Sequence, residues 1–393
     1  MNPKAFSTPE RPALPAEGAN GLGIVLTGGG ARAAYQVGVL SGLAELYPDL
    51  RIPYLTGFSA GAVNIAHLAS HHGTLRQAVD ELCALWEGLE PGSIYRVDTP
   101  SLAWIGGRVL LQLVSGGRTP AREVRSLLDT APLRHFLEES LAAVHGRITG
   151  IDANLRLDRL RAAALITTSY TTGETVVWVQ GSGVEPWQRP QRVSRPAELT
   201  VDHVMASSAL PFFFPAIQLD DGWYGDGQVR LIAPLSPALH LGATRILAIS
   251  TRAERAPGPR PRNVEGYPPP AQVAGVMLNA IFLDMLDQDA LRMERFNRLL
   301  SQLPEDEREG MRPIDLLVIR PSRDLAKLAG DYEPRMPRTI RYLVRGLGSR
   351  RTRSPDVLSM LMFQSDYLTR IIELGRSDAR AHRAELAALV EGG

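Results

Sequence analysis

The sequence predicts a three-layer α/β/α domain on a mainly parallel sheet, and three observations carry that expectation. Gly23-Ile-Val-Leu-Thr27 is a short apolar run, followed at once by the turn Gly28-Gly-Gly-Ala-Arg-Ala-Ala34 and then by helical apolar positions at Tyr35, Val37, Val39, Leu40 and Leu43. About thirty residues later the pattern returns as Ile52, Tyr54 and Leu55, the turn Gly57-x-Ser59-x-Gly61, and Val63, Ile65, Ala66, Leu68 and Ala69 on one helix face. Further buried-strand patterns at Arg245 to Ser250 and Pro313 to Ile319 stand among helical ones. Two strand–turn–helix units at that spacing place neighbouring parallel strands side by side, with both turns at the C-terminal edge of one sheet.

Taken in order, residues 1–20 are polar, contain four prolines and have no apolar core of a signal peptide, which predicts a disordered leader and a cytoplasmic protein. The Gly28 turn sits at the start of a helix, where successive N–H groups suit an anion. Two readings fit it. As Gly28-x-Gly30-x-x-Ala33, with Asp49 beyond, it matches a dinucleotide fingerprint, which would make the chain a nucleotide-binding or regulatory protein. Beside Ser59 it is an oxyanion hole.

Gly57-x-Ser59-x-Gly61 can build a nucleophile elbow, a sharp strand-to-helix turn with the serine at its apex. Glycines at both flanks remove side chains that would collide, and the following helix directs its positive end at the site. Leu75 to Trp86 repeats with helical period, and Cys83 within it is expected to pack. Trp104 to Val114 is an apolar segment that can cover a substrate, and Leu127 to Val144 reads as helix. Leu165 to Tyr170 and Glu174 to Val179 flank a Thr-Thr-Gly turn as a hairpin. Val201 to Leu210 is a small-residue helix that runs into Pro211-Phe-Phe-Phe-Pro215, where Phe212, Phe213 and Phe214 are candidates for an apolar pocket or for plain core.

Tyr224-Gly-Asp226-Gly-Gln228 follows, with Asp226 either a turn carboxylate or the base that activates Ser59. A Pro-rich stretch over 253–270 precedes an amphipathic helix from Val273 to Leu299, and helical patterns continue at Thr339 to Leu347, Val357 to Leu374 and Ala379 to Val390.

Composition narrows the function classes. The 393 residues are 44% hydrophobic and 22% charged, with a net charge of +1, which argues against a nucleic-acid partner. Cys83 is the only cysteine, which excludes an intrachain disulfide and a cysteine-rich metal site. The apolar runs Trp104 to Val114 and Val273 to Met285 are too short or too interrupted to span a bilayer.

Three motifs in order, Gly28-Gly-Gly-Ala-Arg32, Gly57-Phe-Ser-Ala-Gly61 and Asp226-Gly227, make the chain resemble the patatin-like phospholipase family, and Ala206-Ser-Ser-Ala-Leu-Pro211 adds to the likeness. The resemblance divides the chain into the leader, a catalytic domain over 21–250, and a mostly helical C-terminal extension of bacterial type over 251–393. It implies acyl-ester hydrolysis by a Ser–Asp dyad with Ser59 as nucleophile and Asp226 as general base. It assigns the oxyanion hole to Gly28, Gly29, Gly30, Ala31 and Arg32, and the elbow to Gly57 and Gly61. It implies no cofactor and no metal, a lipid or acyl-ester substrate, and peripheral contact with a membrane; the oligomeric state stays open. Two positions depart from the family pattern: Ala33 replaces a glycine, so its methyl is expected near the hole, and Gln228 replaces Gly or Ala. A rival arrangement is a small-ester esterase with the triad Ser59, Asp226 and His240, while His67, His71 and His72 are expected on the surface.

Overall fold

The computed structural model describes residues 21–96, 128–220, 222–253, 285–336 and 356–392, with the single residues 126 and 341. The expected leader over 1–20, the Trp104 to Val114 segment, most of the Pro-rich stretch with the start of the helix after it, and most of Thr339 to Leu347 lie outside the described residues.

Five strands form the parallel heart of the sheet: β1 (Leu22–Leu26), β2 (Tyr54–Phe58), β3 (Ala162–Ser169), β9 (Arg245–Ile249) and β10 (Asp315–Ile319), in the spatial order β10-β9-β1-β2-β3. β1, β2 and β3 are buried at every residue, as strands covered on both faces must be, and this is why they read as unbroken apolar runs. β4 (Thr175–Gly181) returns antiparallel from β3, and β6 (Arg192–Pro196) and β5 (Gln188–Arg189) complete that side. The predicted pairing of the first two strands is present: Gly23 lies opposite Tyr54 and Leu26 opposite Gly57, in parallel. β10 closes the far edge of the same sheet, so the C-terminal region contributes a strand to the central sheet as well as helices to its surface.

A short hairpin, β7 (Ile217–Leu219) and β8 (Gly222–Asp226), adds the element that matters most for the site. β8 pairs antiparallel with the end of β3, just beyond the point where β2 stops.

Helices cover both faces. α1 (Ala34–Leu46), α2 (Ala60–Ser70), α3 (Leu75–Glu87), α4 (Pro91–Ile94), α5 (Ala131–Ser140), α6 (Thr149–Arg156) and α7 (Val201–Ser207) precede β8; α8 (Ser236–Leu241), α9 (Met285–Leu300), α10 (Leu325–Gly330), α11 (Asp356–Met360), α12 (Ser365–Ala381) and α13 (Arg383–Glu391) follow it. α12 lies flush on α1. A methyl added at Gly42 would come within 2.5 Å of the Ala379 side chain, so the two backbones meet where neither carries bulk. Between them the buried Tyr35 hydroxyl donates to Asp378 Oδ2 at 2.9 Å, an acceptor that also takes the Ser322 N–H at 2.9 Å. The C-terminal helices therefore share the core of the sheet domain.

Candidate active site

β2 ends at Phe58 and α2 begins at Ala60, leaving Ser59 alone at the apex with φ 54° and ψ −135°. A non-glycine residue in that region costs on the order of 1–3 kcal/mol and persists only where its surroundings enforce it. Here α7 enforces it from both sides. The Ser59 N–H donates to Ser207 Oγ at 3.0 Å, Ser207 Oγ itself donates to the Ile166 carbonyl at 2.6 Å, and Ser208 Oγ donates to the Ser59 carbonyl at 3.0 Å. The flanking glycines are there for contact distance: a methyl at Gly57 would lie 2.7 Å from the Gly61 carbonyl oxygen, and one at Gly61 2.6 Å from that of Thr27. The elbow thus lies against the β1 turn with no room for side chains.

Asp226 is the last residue of β8 and is fully buried. Burial pushes its carboxyl up from 3.8 to about 7, against the Ser59 side chain and the Gln228 N–H, which both favour the ionised form. Oδ1 accepts the Gln228 N–H at 2.9 Å. The Ser59 hydroxyl is close enough to act on the carboxylate, yet Oδ2 has no described partner of full hydrogen-bond geometry. An approach that is loose in the unliganded site and tightens around substrate is common for acid–base pairs. Tyr170 lies beside Asp226, its phenol pushed up to about 12 by burial first and by the Asp226 charge second.

The glycine turn leads from β1 into a 3₁₀ turn (Gly30–Ala33) and then α1. Several of its carbonyls are already engaged by donors. Gln36 Nε2 donates to Thr27 O at 2.7 Å, Thr251 Oγ1 to Gly28 O at 2.7 Å, the Arg32 N–H to Gly29 O at 3.2 Å, and Asn64 Nδ2 to Ala33 O at 3.3 Å. Among the described residues no acceptor engages the N–H groups of Gly28 or Gly29. Gly28 faces Ser59, since a methyl there would meet Ser59 Cβ at 2.8 Å. Gly30 has φ 56° and backs onto the Met360 backbone, whose carbonyl carbon would be 3.0 Å from a methyl at that position.

Arg32 and Ala33, at the end of the turn, make contacts of their own. Arg32 has spent its N–H on Gly29, and its buried guanidinium donates from Nε to Ser359 Oγ at 2.7 Å, tying the turn to the C-terminal region. The Ala33 methyl does not intrude on the site: it is fully buried in the core and absent from the cleft lining. Gln228 does reach the turn, with its carboxamide lying over Gly28 where a side chain on that glycine would collide.

A cleft of about 770 Å³, open solvent included, runs from Ser59 and Gly30 between α2, α3, α5 and the residues after α11. Val63, Leu82, Trp86, Leu133, Met360 and Phe363 are among its predominantly apolar walls. The three consecutive phenylalanines part company here, because they lie in a tight turn that points each ring a different way. Phe214 lines the cleft; Phe213 is core, 2% exposed, and its carbonyl takes the Leu128 N–H; Phe212, with φ 69°, is 76% exposed. Of the two alternatives, Phe214 takes a place in the cleft wall and Phe213 one in the core, while Phe212 takes neither.

Several histidine expectations resolve as well. His240 does not line the cleft; it stacks on Trp187 at 4.2 Å between centroids, and burial, then the charges of Arg189 and Arg192, lower its pKa to about 4. His67 is a correction, since it is 3% exposed and lines the cleft, with Nε2 3.1 Å from the Ala78 carbonyl. Asp49, the acid a dinucleotide fingerprint would need, precedes β2 and lines a separate cavity with Arg51 and Arg159, at the opposite end of the strand from the glycine turn. Among the described residues no group of three or more His, Cys, Asp or Glu could hold a metal ion.

Residues 24–239 match the family described as Patatin-like phospholipase. No curated protein matches the chain. Among solved structures, human GIVD cytosolic phospholipase A2, determined with a methyl γ-linolenyl fluorophosphonate inhibitor and terbium chloride, aligns at 16% identity with a TM-score of 0.44 over 95% of this chain and 60% of its own. VipD from Legionella pneumophila aligns at 11% identity and TM-score 0.37 over 94% and 67%, and the ExoU–SpcU complex from Pseudomonas aeruginosa at 18% and 0.28 over 59% and 44%. The chain spans about 60% of the length of the human enzyme.

Proposed function

The chain belongs to the patatin-like phospholipase family, and from that premise we propose that it is a lipid acyl hydrolase, a carboxylic ester hydrolase in which Ser59 and Asp226 act as a dyad without a catalytic histidine. The observation that carries the reading is the meeting of three things at one point: a strained Ser59, a buried Asp226 whose carboxyl it contacts, and an apolar cleft that Ser59 lines.

Ser59 Oγ attacks the ester carbonyl carbon while its proton passes to Asp226. A carboxylate poised near neutrality can take a proton and return it, which suits a single base that serves both half-reactions. The carbonyl oxygen becomes an oxyanion facing the N–H groups of Gly28 and Gly29, which no acceptor among the described residues engages, with the positive end of α2 adding to the field. Collapse breaks the ester C–O bond, and Asp226 gives its proton to the departing alcohol. Water, deprotonated by Asp226, then attacks the acyl-enzyme; Ser59 leaves with the proton, and the carboxylic acid is released.

The apolar cleft supplies the acyl site. Burying a chain contributes about 0.8 kcal/mol per methylene, so medium and long acyl groups gain most. Contact with a lipid surface, from which such a substrate would be drawn, belongs to the same proposal. Lipid-class hydrolysis by the purified protein, alongside labelling by an alkyl fluorophosphonate, tests it. Ser59→Ala should abolish both; hydrolysis that survives this substitution overturns the reading.

A further inference from the structure

Thr251 stands two residues beyond β9, is 3% exposed, and takes no part in the chemistry above. Its Oγ1 donates to the Gly28 carbonyl at 2.7 Å, and the same side chain lies under Gly29, where an added methyl would meet Oγ1 at 2.5 Å and Cβ at 2.9 Å. We infer that Thr251 is a positioning residue for the hydrolysis, locking the Gly28–Gly29 peptide so that the Gly29 N–H is presented to the oxyanion. This inference rests on the Ser59 reading.

In a planar trans peptide the C=O of one residue and the N–H of the next point in opposite directions. Holding the Gly28 oxygen against Thr251 therefore fixes where the Gly29 N–H points. Nothing in the glycines themselves does so. Gly29 has φ 156°, and a Gly-Gly link with no side chain on either partner can turn over at small steric cost. A turned peptide would aim a carbonyl where a donor belongs and repel the developing negative charge. Among the described residues, the Thr27, Gly29 and Ala33 carbonyls are held by groups on α1, α2 or the turn itself, whereas that of Gly28 depends on a side chain just beyond β9, which lies on the other side of β1 from β2.

Removing an oxyanion donor elsewhere lowers kcat by about 10²–10³. Since the peptide in a Thr251→Val variant still visits the working orientation, a fall of roughly 10- to 100-fold in kcat is expected, with KM changed by no more than about threefold. Thr251→Ser keeps the hydroxyl and should recover most of kcat. An alkyl trifluoromethyl ketone, which adds Ser59 to form a hemiketal oxyanion, should bind the valine variant weaker by the same factor, while the corresponding alkyl methyl ether binds as before. Thr251→Ala serves if the valine variant does not fold. A Val or Ala variant with wild-type kcat, or a loss that Ser does not recover, overturns the inference and leaves the dyad standing. A Ser59→Ala enzyme that still turns over sinks both.

Discussion

Phe58 and Asp226 lie end to end along β3: Phe58 is paired in parallel with Ile166, and Asp226 is paired antiparallel with Thr167, the next residue. One strand thus serves as a ruler for the two ends of the candidate site. β2 stops where β8 arrives, so the residue after Phe58, Ser59, is delivered beside Asp226 although 167 positions separate them in the chain. α7 tightens the junction, because Ser207 ties the Ser59 N–H to the carbonyl of that same Ile166.

The first prediction concerns pH. Asp226 must be ionised to act as a base, so kcat/KM should rise with pH through about 7. Stability should move the other way. The folded carboxyl titrates near 7 and the unfolded one near 3.8, so between these values the native state holds a proton that the unfolded state has lost. The stabilisation is complete below 3.8 and drains away as pH rises to about 7, a loss on the order of 4 kcal/mol. Asp226→Asn removes the charge; the variant should be inactive yet melt above the wild type at pH 8, with no such gain at pH 4. A variant that melts below wild type at both pH values would contradict the assignment of a strained, ionisable base.

Replacing His240 by Ala should leave kcat within about twofold, because the ring stacks on Trp187 away from the cleft. The cost should appear as stability, roughly 1 kcal/mol for the lost aromatic contact. Steady-state kinetics with a short p-nitrophenyl ester decides it; a dead variant that melts normally would restore the triad.

Much of the geometry of this candidate site was legible because it is local. Ser59, its two glycines and the Gly28 turn each sit within one strand–turn–helix unit, where steric demands fix residue types at fixed offsets. Asp226 was recognisable by a turn signal and by motif order. What the sequence concealed was direction and distance. Leu82 and Trp86 carry the same helical periodicity whether they face core or cleft, so periodicity could not reveal the cleft wall. Met360 and Phe363 approach the site from about 300 residues away in the chain. Phe212, Phe213 and Phe214 share a composition but not an orientation. His67 looked like a surface residue until α3 covered it through Ala78.

Ser207→Ala tests the clamp on the elbow. The substitution strands two buried groups, the Ser59 N–H and the Ile166 carbonyl, each of which costs about 1–3 kcal/mol when left unpaired. A loss of at least about 2 kcal/mol is expected in urea titration, with kcat falling alongside as Ser59 relaxes from φ 54°. An unchanged denaturation midpoint would show that the elbow holds its own strain.

The last prediction uses the cleft as a gauge of chain length. Val63 lies on α2 one turn beyond Ser59 and is only half-buried, so a larger side chain there reaches into the cleft without displacing the sheet core. In the wild type, kcat/KM for p-nitrophenyl esters should climb from acetate toward medium or long chains, and four methylenes well buried would account for roughly a hundredfold. Val63→Trp should cap that climb, lowering the long-chain esters by about that factor while acetate, which ends short of position 63, changes little. Val63→Ala, which enlarges the same place, should leave the long-chain preference intact. Were the profile of the tryptophan variant to drop evenly across all chain lengths, the obstruction would lie at Ser59 itself and the cleft would not be the acyl site.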